Sequence, residues 1–141
     1  MKETLITLSP PAHIHLIGIC GTGMGALAGL LKERGFRVSG SDSNAFPPMS
    51  TELARQGIIV MEGFSEHNLK DRPDLVVVGN ICRKDHVEAV TAQKQGILFA
   101  SMARVLKDLF LTHKESIVIS GTHGKTTTTA LTAYLLQYAK R

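Results

Sequence analysis

Residues 121–127 read Gly-Thr-His-Gly-Lys-Thr-Thr and have the composition of a loop that binds nucleotide phosphates. In such a loop the backbone N–H groups and the dipole of the following helix hold the phosphate oxygens. Lys125 would neutralise charge near the β- and γ-phosphates, and the Thr126 hydroxyl would be a ligand of Mg²⁺. The predicted ATP-binding residues are Gly121, Thr122, His123, Gly124, Lys125, Thr126 and Thr127.

This loop departs from the full Walker pattern, because Ile119 occupies the position of the first glycine, five residues before Gly124. The Gly-Lys-Thr core still supplies the N–H groups, the cation and the hydroxyl that ATP and Mg²⁺ need. His123 either donates to a phosphate or fills the turn. Lys125 is the candidate catalytic residue.

A second glycine-rich segment, residues 18–26, reads Gly-Ile-Cys-Gly-Thr-Gly-Met-Gly-Ala and follows a predicted strand. Its Gly-x-Gly-x-x-Ala core fits the fingerprint of dinucleotide-binding turns, and Asp42 lies 21 residues after Gly21, near the spacing of a ribose-binding acid. Glycines let the backbone approach a pyrophosphate, and the carboxylate would accept from a sugar hydroxyl. NAD, FAD and a UDP-sugar all carry a diphosphate, so the pattern leaves the ligand open. A tight turn without a ligand, with Asp42 as a turn residue, is the alternative.

The other candidate residues give weaker predictions. Asn80 follows a strand at the carboxyl edge of the predicted sheet, where it would contact a ligand or make a turn. Arg83 and Lys84 follow in the same loop and are expected to be solvated charges. His13 and His15 alternate on one strand face, and with no acid or cysteine at metal spacing they predict a packed histidine pair.

Both loops join a strand to a helix, so an alternating array of strands and helices must position them. The spacing predicts strands over residues 13–19, 36–40, 58–61, 74–79 and 97–99, with helices over 24–34, 50–56, 86–95 and 100–110. Ser50 or Thr51 is expected to cap the second helix. The array predicts an α/β fold with a Rossmann-like parallel sheet and flanking helices.

A further strand over 117–120 and a helix over 126–138 are predicted on either side of the Gly121 loop. The predicted organisation is a tail at 1–12, a Rossmann-like nucleotide domain at 13–111, and the start of an ATP-binding domain at 112–141. Because a phosphate loop opens a domain rather than closing one, we expect the ATP-binding domain to be truncated.

Composition limits the class of protein. The chain has 141 residues, 43% hydrophobic and 20% charged, with a formal net charge of +4, as in ordinary globular domains. Scattered basic residues and few aromatics argue against a nucleic-acid partner. No apolar run of membrane-spanning length and no signal peptide are visible, so a cytoplasmic protein without a membrane partner is expected. Cys20 and Cys82 are expected to be thiols without a catalytic role. The oligomeric state is not indicated.

Three segments together resemble the Mur ligases of bacterial cell-wall synthesis. These are Gly-Ile-Cys-Gly-Thr-Gly-Met-Gly-Ala-Leu-Ala (18–28), Val-Ser-Gly-Ser-Asp (38–42) and Ser-Gly-Thr-His-Gly-Lys-Thr-Thr-Thr-Thr (120–129). The resemblance is specific, because two different phosphate loops occur in the family's order and spacing, and it covers nearly the whole chain from His13.

The resemblance implies ATP- and Mg²⁺-dependent amide formation, in which the carboxylate of UDP-N-acetylmuramate becomes an acyl phosphate that an amine attacks. It assigns the Gly121 loop to ATP and Mg²⁺. It assigns to the UDP-sugar the residues Gly21, Thr22, Gly23, Met24, Gly25, Asp42, Ser43 and Asn80. The expected partners are therefore small-molecule substrates. With the rest of the ATPase and the amine-binding domain missing, this chain is expected to bind the UDP-sugar without completing the ligation.

Two branches of the family compete. One adds L-alanine to UDP-N-acetylmuramate, and the other is a recycling ligase that attaches the murein tripeptide L-alanyl-γ-D-glutamyl-meso-diaminopimelate. Residues 18–22, 45–51 and 77–80 resemble the recycling branch, although residues 83–86, Arg-Lys-Asp-His, replace its usual Arg-Gly-Asn-Pro-like loop. Outside the family, an NAD-binding domain would leave the Gly121 loop unexplained. A non-catalytic nucleotide-binding module is a further alternative.

Overall fold

A five-stranded parallel sheet forms the centre of the molecule. The computed structural model describes residues 5–79, 82–83 and 85–139. The strands are β1 (His13–Ile17), β2 (Arg37–Asp42), β3 (Ile59–Glu62), β4 (Leu75–Val78) and β5 (Leu98–Ser101), in the spatial order β3-β2-β1-β4-β5. The strand order reverses between β1 and β4, and open α/β sheets bind their ligands at such a switch point. The predicted Rossmann-like α/β class is confirmed.

Helices cover both faces of this sheet. They are α1 (Thr22–Glu33), α2 (Met49–Arg55), α3 (Val87–Lys94) and α4 (Met102–Leu106). A fifth helix, α5 (Lys125–Tyr138), follows in the chain and buries none of its residues. A short 3-10 helix at Glu66–Leu69 precedes β4, and one π-helical stretch, Lys107–Leu111, continues α4. No helix within the described ranges has the length and apolar character needed to cross a membrane.

Successive side chains along each strand point to opposite faces of the sheet, and this alternation divides the core into two clusters. Ile14 and Leu16 of β1 pack with the apolar stripe of α1, while Ile17 packs on the other face with Ala92 of α3. Every side chain in residues 75–77 is fully buried, as expected for a central parallel strand that is covered on both faces.

Two local predictions are wrong, and the predicted tail contains one buried residue. β2 runs on to Asp42, two residues beyond the predicted end of the strand at residue 40, because Gly40–Asp42 continue to pair with β3. Neither Ser50 nor Thr51 caps α2, which starts after Pro48 without a side-chain cap. Ile6, in the predicted tail, is buried and donates its N–H to Asp108 Oδ2 at 3.1 Å.

The predicted strand at 117–120 is also wrong, although the helix after it forms. Residues 115–120 have no regular structure, and the side chains of Ile117 and Val118 are 64% and 85% exposed. α5 buries none of its residues, so the side chains that share its more apolar face are exposed to solvent, namely Leu131, Tyr134, Leu135 and Tyr138. A strand needs a neighbour to satisfy its backbone groups. The described residues provide no such neighbour for this segment.

Candidate functional site

The first glycine loop lies at the carboxyl edge of the sheet, where the strand order reverses. A cavity of about 200 Å³ is lined by Ile17, Gly18, Gly21, Thr22, Gly23, Met24, Gly79 and Met102. Four of the predicted ligand-binding residues therefore share one concave surface. Gly25 is buried instead, and a Cβ there would collide with the Met49 side chain and lie 3.3 Å from the Ile19 carbonyl oxygen. The absence of a side chain at Gly25 therefore allows Met49 to pack closely against α1.

The backbone N–H groups of the loop divide into two sets. Gly18 and Ile19 both donate to the Ser41 carbonyl oxygen, at 2.8 and 3.1 Å, and Gly21 donates to the Gly18 carbonyl at 3.2 Å. The N–H groups of residues 22–24 belong to the first turn of α1, where no intrahelical acceptor exists. Gly21 caps the helix without a side chain, and no acid lies in the first turn. These three N–H groups and the positive end of the helix dipole are available to an anion.

Asp42 lies beside the loop, as predicted, and holds it in place. Its Oδ2 accepts the Cys20 N–H at 2.9 Å and its Oδ1 accepts the Asn44 N–H at 3.0 Å. The residue is only 8% exposed. An ionised carboxylate offers about four lone-pair sites, so acceptor capacity remains after both bonds. The neighbouring Ser43 is exposed at a bend. Sequence reasoning missed the bond to Cys20, since nothing in the pattern indicates it.

The two cysteines are free thiols with raised pKa values. Burial, and then the charge of Asp42, raises the pKa of the Cys20 thiol. Burial, and then the charge of Glu88, raises the pKa of Cys82. Since the thiolate is the nucleophile, both cysteines are suppressed as reactive groups.

The loop after β4 is described only in part. Asn80 and Lys84 lie outside the described residues, so the structure does not place the predicted Asn80 contact. Arg83 is exposed at the edge of a separate cavity of about 350 Å³, which it lines with Val78, Cys82, Ala89, Gln93 and Phe99.

The Gly121 loop is exposed along its whole length. Gly124 has a φ of 78° and precedes α5, which no side chain caps. A positive φ of this kind favours glycine. The Lys125 ammonium donates to the carbonyl oxygens of Gly121 and Thr122, at 2.6 and 3.4 Å. The loop therefore brings the seven predicted residues together, with its lysine folded onto its own backbone. In the ranges that the structure describes, no group of three His, Cys, Asp or Glu side chains could hold a metal ion.

The predicted histidine pair is packed under the sheet, on the face that α3 covers. His13 Nε2 and His15 Nδ1 both lie within hydrogen-bond distance of Ser39 Oγ, at 2.8 and 3.0 Å. Burial, and then the charges of Arg37 and His15, lowers the pKa of His13. His15 Nε2 lies 3.6 Å from the carboxylate of Glu88, a buried residue of α3 that sequence reasoning did not single out.

The chain is similar to known proteins over most of its length. Residues 13–114 match the model of the Mur ligase family, catalytic domain. The chain is 42% identical over 127 residues to the UDP-N-acetylmuramate–L-alanyl-γ-D-glutamyl-meso-2,6-diaminoheptandioate ligase of Escherichia coli K12, covering 89% of this chain and 27% of the relative. It is 43% identical over 122 residues to the UDP-N-acetylmuramate–L-alanine ligase of Clostridium acetobutylicum, covering 86% and 26%.

A crystal structure of a murein peptide ligase from Psychrobacter arcticus 273-4 superposes with a TM-score of 0.87 at 43% identity, covering 92% of this chain and 27% of that one. The chain thus spans a little over a quarter of the length of the relatives it matches. The match to the family model extends over most of the chain and includes the glycine loop, β2 and Asp42. The chain belongs to the Mur ligase family.

Proposed function

We propose that this chain is the nucleotide-binding part of an ATP-dependent ligase that joins UDP-N-acetylmuramate to the murein tripeptide. The observation that carries the proposal is the cavity at the first turn of α1, with its uncapped N–H groups beside Asp42. The relatives that are named for joining the tripeptide, and the similarity to the Psychrobacter enzyme, support the choice of reaction.

In this proposal the diphosphate lies against the first turn of α1. The N–H groups of Thr22, Gly23 and Met24 donate to its oxygens, and the helix dipole stabilises its charge. A Cβ on Gly23 would lie 3.2 Å from the Met102 methyl group, so the glycine keeps this approach open. Asp42 uses its remaining lone pairs to accept from a sugar hydroxyl, with Ser43 next to it. Gly25 supports the turn, and Asn80 would contribute from the neighbouring strand end.

The Gly121 loop would hold ATP and Mg²⁺. The uncapped start of α5 provides N–H groups, and Lys125 needs only to turn from the loop carbonyls towards a phosphate. Gly121 to Thr127 surround the phosphates, with the Thr126 hydroxyl as a ligand of Mg²⁺. When bound, ATP supplies the phosphoryl group that activates the muramoyl carboxylate. The exposed α5 and the unpaired residues 115–120 support a domain boundary near residue 112, where an ATP-binding domain would begin.

A second candidate is addition of L-alanine to the same nucleotide. Similarity to the L-alanine ligase of Clostridium acetobutylicum favours it, at an identity equal to that of the Psychrobacter structure. Both reactions use the same UDP-sugar, so the candidates differ in the amine alone.

Calorimetric titration of this chain with UDP-N-acetylmuramate, NADH and Mg·ATP in parallel tests the proposal. We expect binding of the UDP-sugar, little binding of NADH and weak or no binding of ATP. Tight NADH binding without UDP-sugar binding would contradict the ligase assignment. The amine is identified by assaying the full-length enzyme with the tripeptide and with L-alanine, and faster ligation of L-alanine would favour the second candidate.

A further inference from the structure

Glu88 is a carboxylate in the interior of the molecule, on the sheet face opposite α1. It lies in the first turn of α3 and is 0% exposed. Its Oε1 accepts from the Ser65 N–H at 3.2 Å and from Asn68 Nδ2 at 2.6 Å. Its Oε2 accepts from Ser41 Oγ at 2.5 Å and faces His15 Nε2 at 3.6 Å. Both oxygens are therefore satisfied.

The carboxylate remains ionised in this position. Burial on its own would raise the pKa of Glu88, but the interactions with His15, Ser41 and Asn68 together outweigh it and hold the pKa below its usual range. A buried charge is tolerated when its partners stay in place, and loss of one partner is strongly destabilising, so Glu88 and the groups that donate to it hold one another in position.

Ser41 connects Glu88 with the glycine loop. Its hydroxyl donates to Glu88, while its carbonyl oxygen accepts the N–H groups of both Gly18 and Ile19. The next residue, Asp42, accepts the Cys20 N–H at 2.9 Å. Three consecutive N–H groups of the loop are thus held by the last two residues of β2. The end of β2 is in turn anchored through the sheet to α3.

We propose that Glu88 is a positioning residue for the glycine loop, acting through Ser41 from the opposite face of the sheet. By fixing the end of β2 it sets the place of residues 18–20. It thereby sets the direction of the N–H groups of residues 22–24, which face the ligand. The inference rests on the proposed function in one respect, namely that a nucleoside diphosphate is the ligand of this loop.

Two matched variants separate positioning from general stability. Ser41→Ala removes the hydroxyl that links Glu88 to β2 and leaves the Ser41 carbonyl in place. Asn68→Ala also removes one hydrogen bond to Glu88, but Asn68 lies in the 3-10 helix and also donates to the Gly63 carbonyl, away from the loop. Because a hydrogen bond to a charged group is stronger than one between neutral groups, Ser41→Ala should weaken UDP-N-acetylmuramate binding by about tenfold, measured by calorimetry. Asn68→Ala should change it by less than about twofold, because Ser41 still holds Glu88 to β2.

Amide hydrogen exchange tests the positioning without any ligand. In Ser41→Ala the N–H groups of Gly18, Ile19 and Cys20 should exchange faster than in Asn68→Ala, at matched global stability. Glu88→Gln keeps the shape of the side chain and can still pair with Ser41. Its loop N–H groups should therefore exchange at rates between those of the other two variants. Equal exchange at the loop in both matched variants, or unchanged protection in Ser41→Ala, would overturn the inference. Absence of UDP-N-acetylmuramate binding by the unsubstituted chain would count against the proposed function, and the exchange result would still decide the role of Glu88.

Discussion

At the scale of single residues, the glycine loop owes its shape to groups that lie outside it. Asp42 accepts a loop N–H, Ser41 accepts two, and Gly40 lets the end of β2 approach the loop closely. A Cβ on Gly40 would lie 2.6 Å from both the Leu16 carbonyl oxygen and the Ile19 side chain. The loop is therefore held by β2 as much as by its own glycines.

Gly40→Ala should be strongly destabilising. The backbone carbonyl of Leu16 cannot move without disturbing the pairing of β1 with β2, so we expect a loss of about 3 kcal/mol or more in the free energy of unfolding by urea. Gly29→Ala is the matched control, since its Cβ would meet only the end of the Gln56 side chain. That variant should be neutral or stabilising by up to about 1 kcal/mol through helix propensity. Equal losses in both would mean that the close approach at Gly40 is unimportant.

Asp42→Ala should weaken UDP-N-acetylmuramate binding by about tenfold or more, because the Cys20 N–H loses its acceptor and the ligand loses a carboxylate. Calorimetric titration measures the change. Asp71→Ala is a suitable control, as Asp71 is an exposed acid paired with Arg37 at 3.5 Å. It removes the same charge and should leave the affinity within about twofold. Unchanged affinity in Asp42→Ala would mean that Asp42 neither contacts the UDP-sugar nor shapes its site.

At the scale of elements, the sequence was sufficient to predict those strands and helices that local residue patterns determine. The apolar run of β4 and the strand–glycine–helix pattern around Gly21 indicated the right elements and placed Asp42 beside the loop. The bonds of Glu88 could not be predicted, because its partners come from three separate segments and no periodicity marks them. The strand expected at 117–120 has the right β-branched residues, but pairing depends on a neighbour that the local pattern does not specify.

The unequal packing of the helices can be tested with two matched leucine substitutions. Leu27→Ala in α1 should lower the free energy of unfolding by about 2–5 kcal/mol, because it leaves a cavity in the core. Leu131→Ala in α5 should change it by less than about 0.5 kcal/mol. The Leu27 and Leu131 side chains are 1% and 57% exposed, respectively. Urea denaturation followed by circular dichroism measures both, and a comparable loss in Leu131→Ala would mean that α5 packs on the sheet domain.

At the scale of the whole molecule, the two faces of the sheet have different characters. The face under α1 and α4 is an apolar core, whereas the face under α3 combines a small apolar cluster with the chain of His13, Ser39, His15 and Glu88. The apolar face gives stability that is insensitive to pH. The polar face makes the free energy of unfolding depend on the protonation of His13 and Glu88, whose pKa values are both lowered in the folded state.

The stability of the chain should therefore fall on acidification in two steps. The pKa of His13 is lowered from 6.5 in the folded state, so below about pH 6.5 the unfolded chain binds more protons and unfolding is favoured. The pKa of Glu88 is lowered from 4.5 in the folded state. By the same reasoning, its contribution to the free energy of unfolding is lost as the pH falls below that value. Urea denaturation at a series of pH values from 7.5 down to well below 4.5 measures both steps. His13→Gln should flatten the first step, whereas His67→Gln, at an exposed position, should retain it. A first step that persists in His13→Gln would assign that proton uptake to another group.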